Sequence, residues 1–133
     1  VYSQLIAIET LNTLAQENVS ERVFGFLKEN ELTDFDIDLV VLGNNGDVDF
    51  DGYYDQLSEG VFKNTTQAYY KHLSGEFDTA SAFGFWLGNK ILKNQSVPEA
   101  VQLNSIQPKK LETILLYNQY RGENHSLVLL KRC

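Results

Sequence analysis

The chain has a single cysteine, Cys133, and it is the last residue. One thiol closes no internal disulfide, so a small secreted domain stapled by bridges is excluded. Basic residues are scarce: 11 Lys and Arg stand against 18 Asp and Glu, a formal net charge of −7. No Lys/Arg cluster is long enough to track phosphates, so nucleic acid is not expected as a partner. An anionic membrane surface is not expected for the same reason. No uninterrupted apolar run approaches the ~20 residues that span a bilayer. The start, Val1-Tyr2-Ser3-Gln4, carries neither an initiator methionine nor a basic signal-like region. Together these absences lead us to expect a cytoplasmic protein. Residues 1–133 are expected to form one domain excised from a longer protein.

Histidine is also rare, with only His72 and His125. A zinc site needs about four ligands, so two distant histidines and a terminal cysteine do not make one. His125 opens an apolar run and is expected to pack at a sheet edge. His72 falls in a loop. Asp47, Asp49, Asp51 and Asp55 form an acidic cluster in and after a Gly/Asn loop. Their spacing is suggestive of a hard cation, but the full pattern of a calcium loop is missing. Capping and a solvated loop are the expected roles. No glycine-rich loop ends in Gly-Lys-Ser/Thr, and no Gly-x-Ser-x-Gly elbow occurs. Phosphate cradles and an elbow-type serine triad are therefore excluded. No cofactor or metal is implied.

What the chain does have is bulk: 133 residues, 43% hydrophobic, with seven Tyr, eight Phe and one Trp. That is enough for one domain with a core. Gln4 to Thr10 reads as a short strand, or as a helix if Leu11 and Leu14 continue it. Asn18 with Glu21 three residues on has capping-box spacing. Val23, Phe26 and Leu27 follow at helical spacing, predicting an amphipathic helix over 19–30. A short turn starts at Thr33-Asp34. Ile37 to Leu42 is a β-branched and leucine run stopped by Gly43-Asn44-Asn45-Gly46-Asp47, hence a strand feeding a polar loop. Helix, turn and strand in this order predict a crossover unit of a largely parallel sheet.

A helix is expected over Tyr53–Phe62 and a strand over Thr66–Tyr70, broken at Ser74-Gly75. Phe77 to Lys93 predicts a helix that is apolar almost all round, and so buried on several sides. Ala80, Gly84 and Gly88 fall at i, i+4 and i+8. Glycine costs about 1 kcal/mol relative to alanine inside a helix. Two on one stripe predict that another backbone packs closely there. The Phe83, Phe85, Trp86 run reads as core or dimer surface. Pro98 to Pro108 is an irregular linker with a basic turn at Lys109-Lys110. Thr113 to Tyr120 and His125 to Lys131 are apolar runs around Arg121-Gly122-Glu123-Asn124. That is a hairpin signal, with Gly122 or Asn124 able to take positive φ.

Several of these segments together resemble one family. Phe26-Leu27-Lys28, followed by Asp36-Ile37-Asp38-Leu39-Val40-Val41-Leu42-Gly43, is similar to the helix and strand leading to the first catalytic histidine loop of ketoacyl synthases. Lys71-His72-Leu73-Ser74-Gly75-Glu76 resembles the family's lysine loop and second histidine, just before a buried helix. Asn118 to Asn124 resembles the phenylalanine- and glycine-rich loop of the final hairpin, and His125 to Lys131 its closing strand. The resemblance covers roughly residues 19–131. It implies an α/β, thiolase-like half domain: a mixed five-stranded sheet, a central helix buried between two duplicated halves, and a C-terminal β-hairpin. The half that bears the nucleophilic cysteine is absent from this chain.

Where the family has histidines, this chain has other residues. The first histidine position falls near Gly43-Asn44 and the second on Glu76. The lysine is retained as Lys71. The gatekeeper phenylalanine falls on Asn118, and Gln119 and Arg121 replace loop glycines, while Gly122 and Asn124 match. Decarboxylating condensation needs a cysteine and groups that stabilise the enolate and oxyanion. The resemblance therefore implies an acyltransferase-like protein of fatty acid or polyketide biosynthesis, with this fragment inactive alone. Lys71 and Glu76 are the candidate catalytic pair. Gly43, Asn44, Asn118, Gly122 and Asn124 are the candidate pocket or oxyanion loop. Lys71, Glu76, Asn118 and Asn124 are expected to converge at one edge of the sheet. The partners implied are the N-terminal half or a second synthase subunit, an acyl carrier protein, and a second copy through the parent protein. The alternative is a non-enzymatic interaction domain with a borrowed α/β fold.

Overall fold

A computed structural model describes residues 3–44, 46, 48–71, 80–108 and 110–132. Strand β1 (Ser3–Thr13) is followed by a 3-10 turn (Gln16–Asn18), helix α1 (Val19–Glu29), a second 3-10 turn (Asp34–Asp36) and strand β2 (Leu39–Leu42). Helix α2 (Gly52–Gln56) runs into a π-turn (Leu57–Val61) and then strand β3 (Thr66–Tyr69). Helix α3 (Ala80–Asn94), a 3-10 turn (Glu99–Val101) and the strands β4 (Thr113–Tyr120) and β5 (Glu123–Arg132) complete the chain. The sheet is five-stranded and mixed, in the order β1-β5-β4-β2-β3. β2 runs parallel to β3 and β4, while β5 runs antiparallel to β4 and β1. The protein is therefore mixed α/β, with the crossover unit and the terminal antiparallel pair expected of it.

The two faces of the sheet carry separate cores. Val40, Leu42, Leu115, Tyr117, Leu127 and Leu129 face α1, α2 and the π-turn, where Val23, Phe26, Leu27, Tyr54 and Leu57 meet them. Leu39, Val41, Ile114, Leu116 and Leu130 face α3, where Leu87, Ile91 and Leu92 meet them. Successive strand residues point to opposite faces, so a strand covered on both sides must be apolar throughout. All four residues of β2 are buried for this reason.

Several local expectations are corrected. β1 reaches Thr13, and Leu11 lies in it, so the helical alternative is not taken. Asn18 does not cap α1. The preceding 3-10 turn holds it in the helical region (φ −97°, ψ −3°), with its N–H on the Ala15 carbonyl at 2.9 Å, and it makes no side-chain cap. A capping box occurs instead at Thr33, whose N–H donates to Asp36 Oδ2 at 2.8 Å.

Helix α3 is not buried on several sides. Gly84, Leu87, Gly88, Ile91 and Leu92 turn to the sheet, whereas Phe85 and Trp86 are 38% and 51% exposed. Nor does a backbone press on the glycines. A β-carbon at Gly84 would lie 2.7 Å from the Tyr70 ring, and one at Gly88 3.1 Å from Leu130 Cδ1, so side chains of the sheet fill the space. Ala80 opens the described part of this helix. The expected helix residues 77–79 and the Ser74-Gly75 break lie outside the described residues.

Candidate functional site

The sheet register assembles the site. Leu42 at the end of β2 pairs with Tyr69 of β3 on one side and Tyr117 of β4 on the other. Gly43 follows Leu42, Asn118 follows Tyr117 within β4, and Lys71 lies two residues beyond Tyr69, so all three fall at the same end of neighbouring parallel strands. A crevice outside the carboxyl ends of parallel strands is where open α/β sheets bind ligands. Gly43 is buried, and a β-carbon on it would sit 2.7 Å from the Tyr54 hydroxyl, 3.2 Å from Lys71 Cε and nearer still to Asn118 Oδ1. Three segments remote in sequence thus close around one glycine. Lys71 is only 4% exposed.

Tyr54, which the sequence reading did not single out, is the hub of this edge. Its hydroxyl accepts from the Gln119 N–H at 3.1 Å and lies 3.1 Å from Asn118 Oδ1 and 3.2 Å from the Gln119 carbonyl, either of which can take its proton. Gln119, 4% exposed, extends the network: its Oε1 accepts from the Gly122 N–H at 2.6 Å, and its Nε2 donates to the Phe50 carbonyl at 3.3 Å. Tyr54 could have been noticed as one of two adjacent tyrosines just after a polar loop. No local pattern marks a hub.

The β4–β5 turn falls at Arg121-Gly122, with φ of 51° and 75°, and Asn124 also takes a positive φ of 52°. Asn124 is exposed. Gly122 is buried against Tyr53, whose hydroxyl would stand 2.5 Å from a β-carbon there. Asn44 is partly buried, and its Oδ1 is sealed from water with no hydrogen-bond partner among the described residues. Glu76 and His72 lie outside the described residues, so the expected Lys71–Glu76 pair does too.

His125 is not at a sheet edge. β5 is flanked by both β1 and β4, and His125 is 1% exposed. Its Nε2 lies 2.8 Å from the Gly122 carbonyl and so carries the proton, which leaves Nδ1 to accept from the Tyr117 hydroxyl at 2.8 Å. Burial pushes its pKa down, against the opposing pull of the Gly122 carbonyl. Burial, with Tyr53 nearby, pushes the Tyr117 phenol up. With both ring nitrogens engaged inside the sheet, His125 holds the turn and cannot serve as a base toward a ligand.

The acidic cluster behaves as a loop. Asp51 Oδ2 accepts from the Gly46 N–H at 2.9 Å. The Asp55 carboxyl is raised by burial and by Glu59 and Asp51 nearby. Asp47 lies outside the described residues, and among the described ones no group of three or more His, Cys, Asp or Glu is placed to hold a metal ion. No helix among the described residues is long and apolar enough to cross a membrane.

Chemically, the edge brings the Asn118 amide oxygen, the Tyr54 hydroxyl and the Lys71 side chain against Gly43, with the Asn44 amide oxygen sealed from water on the next residue. No family model and no curated protein matches the chain.

Proposed function

We propose that this chain is the C-terminal half of a ketoacyl-synthase-like, thiolase-like protein that handles acyl thioesters, and that it is inactive by itself. One observation carries the reading. The three segments that resemble the first histidine loop, the lysine loop and the final hairpin loop of that family meet around Gly43, with Lys71 and Asn118 touching the same small volume. A mixed five-stranded sheet with a terminal antiparallel pair further supports it.

In this reading the half supplies positioning and electrostatics. Lys71 lies at the thioester carbonyl, where a fixed positive charge stabilises developing negative charge, and Asn118, whose Oδ1 is turned to Gly43 and the Tyr54 hydroxyl, lines the same pocket as an acceptor. Neither Gly43 nor Asn44 provides the base of an ordinary condensation, so the half serves a partner that holds the nucleophile, or a non-catalytic subunit of the same assembly. The outer face of α3, where Phe85 and Trp86 are exposed, packs on the second half.

The test joins the chain to the polypeptide encoded directly upstream. Trp86 is the sole tryptophan of this chain, so a 5-fluorotryptophan label placed there reports on its surroundings. The label should lose solvent contact when the halves are together. Malonyl and acetyl thioesters should then give a covalent acyl adduct or released CO₂ if the other half carries a cysteine. A label that stays exposed, with no adduct and no turnover, would overturn the proposal.

A further inference from the structure

The two edges of the sheet are finished differently. β3 is covered: the Leu103 N–H donates to the Gln67 carbonyl at 2.9 Å, the Gln67 N–H to Asn104 Oδ1 at 3.0 Å, and Asn104 Nδ2 to the Thr65 carbonyl at 2.9 Å. β1 has only β5 beside it among the described residues. It is an eleven-residue strand without lysine or proline. Leu5, Ile6 and Ile8 are 46%, 38% and 57% exposed. An open, long, apolar edge is a template for another strand, and natural edges usually carry charge, proline or a cover to prevent pairing.

We infer that β1 pairs antiparallel with β1 of a second copy of this chain, extending the sheet across a two-fold axis near Ile8. Two features favour a second copy over a partner of opposite charge. On a chain of net charge −7, β1 has one ionisable side chain, Glu9. That carboxylate is already held by Arg22 of the same molecule, through Nε at 2.7 Å and Nη2 at 2.5 Å. The edge thus shows no charge for a basic partner to grip and none to repel its own copy. Ile8 is also the middle residue of Ser3–Thr13. A two-fold there is self-complementary, and it sets each Glu9 opposite Ala7 of the other copy, away from its own twin. The register against β5 is regular from Ala7 onward, so the pairs next to the axis, Ala7 with Glu9, fall in regular backbone, and the irregularity between Leu5 and Ala7 falls where Ile6 meets Thr10.

The test is independent of the acyl-thioester reading, because it uses this chain alone and no substrate. Sedimentation should show a dimer at high micromolar concentration. Amide hydrogen exchange of β1 should slow as concentration rises through the dimerisation range, since only edge pairing protects its outward N–H groups. Ile8→Lys should weaken the dimer by at least roughly tenfold, whereas Trp86→Gln should leave it unchanged. A chain that stays monomeric, β1 exchange that ignores concentration, or a dimer lost with Trp86→Gln but kept with Ile8→Lys would each overturn the inference. If Ile8→Lys fails to fold, the exchange and mass measurements on the unmodified chain still decide it.

Discussion

At the scale of single residues, the two helix glycines separate two effects that the sequence presents as one stripe. Replacing glycine by alanine in a helix gains about 1 kcal/mol of propensity. At Gly88 the new methyl meets Leu130 Cδ1 at 3.1 Å, and although Leu130 is itself buried, a shift of a few tenths of an ångström in that methyl relieves the contact. At Gly84 it meets the Tyr70 ring at 2.7 Å, and Tyr70 is itself 2% exposed, so the ring has nowhere to go. Gly88→Ala should therefore be neutral or slightly stabilising in urea unfolding, and Gly84→Ala destabilising by about 1–3 kcal/mol, with Gly84→Leu worse. His125 gives a second residue-scale test. Its pKa in the fold lies below the unfolded value, so the unfolded chain binds the extra proton first. The stability that neutral His125 contributes is complete above about pH 6.5 and is lost as pH falls below it. The urea midpoint should drop through that window, and His125→Gln should flatten the part of the slope that belongs to this residue.

Elements were legible where a periodic pattern stood against punctuation. The apolar run before Gly43 and the pair of runs around Arg121-Gly122 read directly as strands and a turn, while the mixture from Gln4 to Thr10 reads as a short strand with a helix left open. Reading failed where a neighbour in space decides the outcome. Asn18 has the composition of a cap, but a 3-10 turn places it in helical geometry. His125 reads as an edge residue because nothing local says that β1, more than a hundred residues earlier, closes that side of β5. The site shows the same division. Gly43, Lys71 and Asn118 stood out in the sequence, while Tyr54 did not, because its role is to join elements and not to continue a pattern. The hairpin offers a test at this scale. Tyr54→Phe removes one hydroxyl that serves the Gln119 N–H and an acceptor beside it. Leaving those buried groups unpaired should cost about 1–3 kcal/mol. Hydrogen exchange should show the loss in the Asn118–Gly122 segment, with α1 left protected.

For the molecule as a whole, the two layers that cover the sheet are unequal. α1 and α2 with its π-turn close one face, whereas among the described residues α3 spans the other, with Val97, Val101 and Leu111 beside it, and leaves Phe85 and Trp86 exposed. The near-continuous apolarity of α3 predicted burial all round, and among the described residues its outer side, with Phe85 and Trp86, is exposed instead. Two adjacent residues make the asymmetry measurable. Leu87 is 5% exposed against the sheet, and Trp86 is 51% exposed, touching Phe83 at a ring separation of 5.5 Å with the Lys90 ammonium 5.9 Å from its ring. Leu87→Ala empties a packed site and should cost about 2–5 kcal/mol. Trp86→Gln removes the larger side chain from the same helix, yet it should shift stability by less than about 1 kcal/mol, because about half of that side chain is in solvent. Urea unfolding of the two variants checks the order. If Trp86→Gln cost as much as Leu87→Ala, the outer face of α3 would already be core, and no surface there would await a second half. If the order holds and the proposed second half packs on α3, the same Trp86→Gln variant should lose association with that half while keeping its fold, which would separate what α3 does for stability from what it does for assembly.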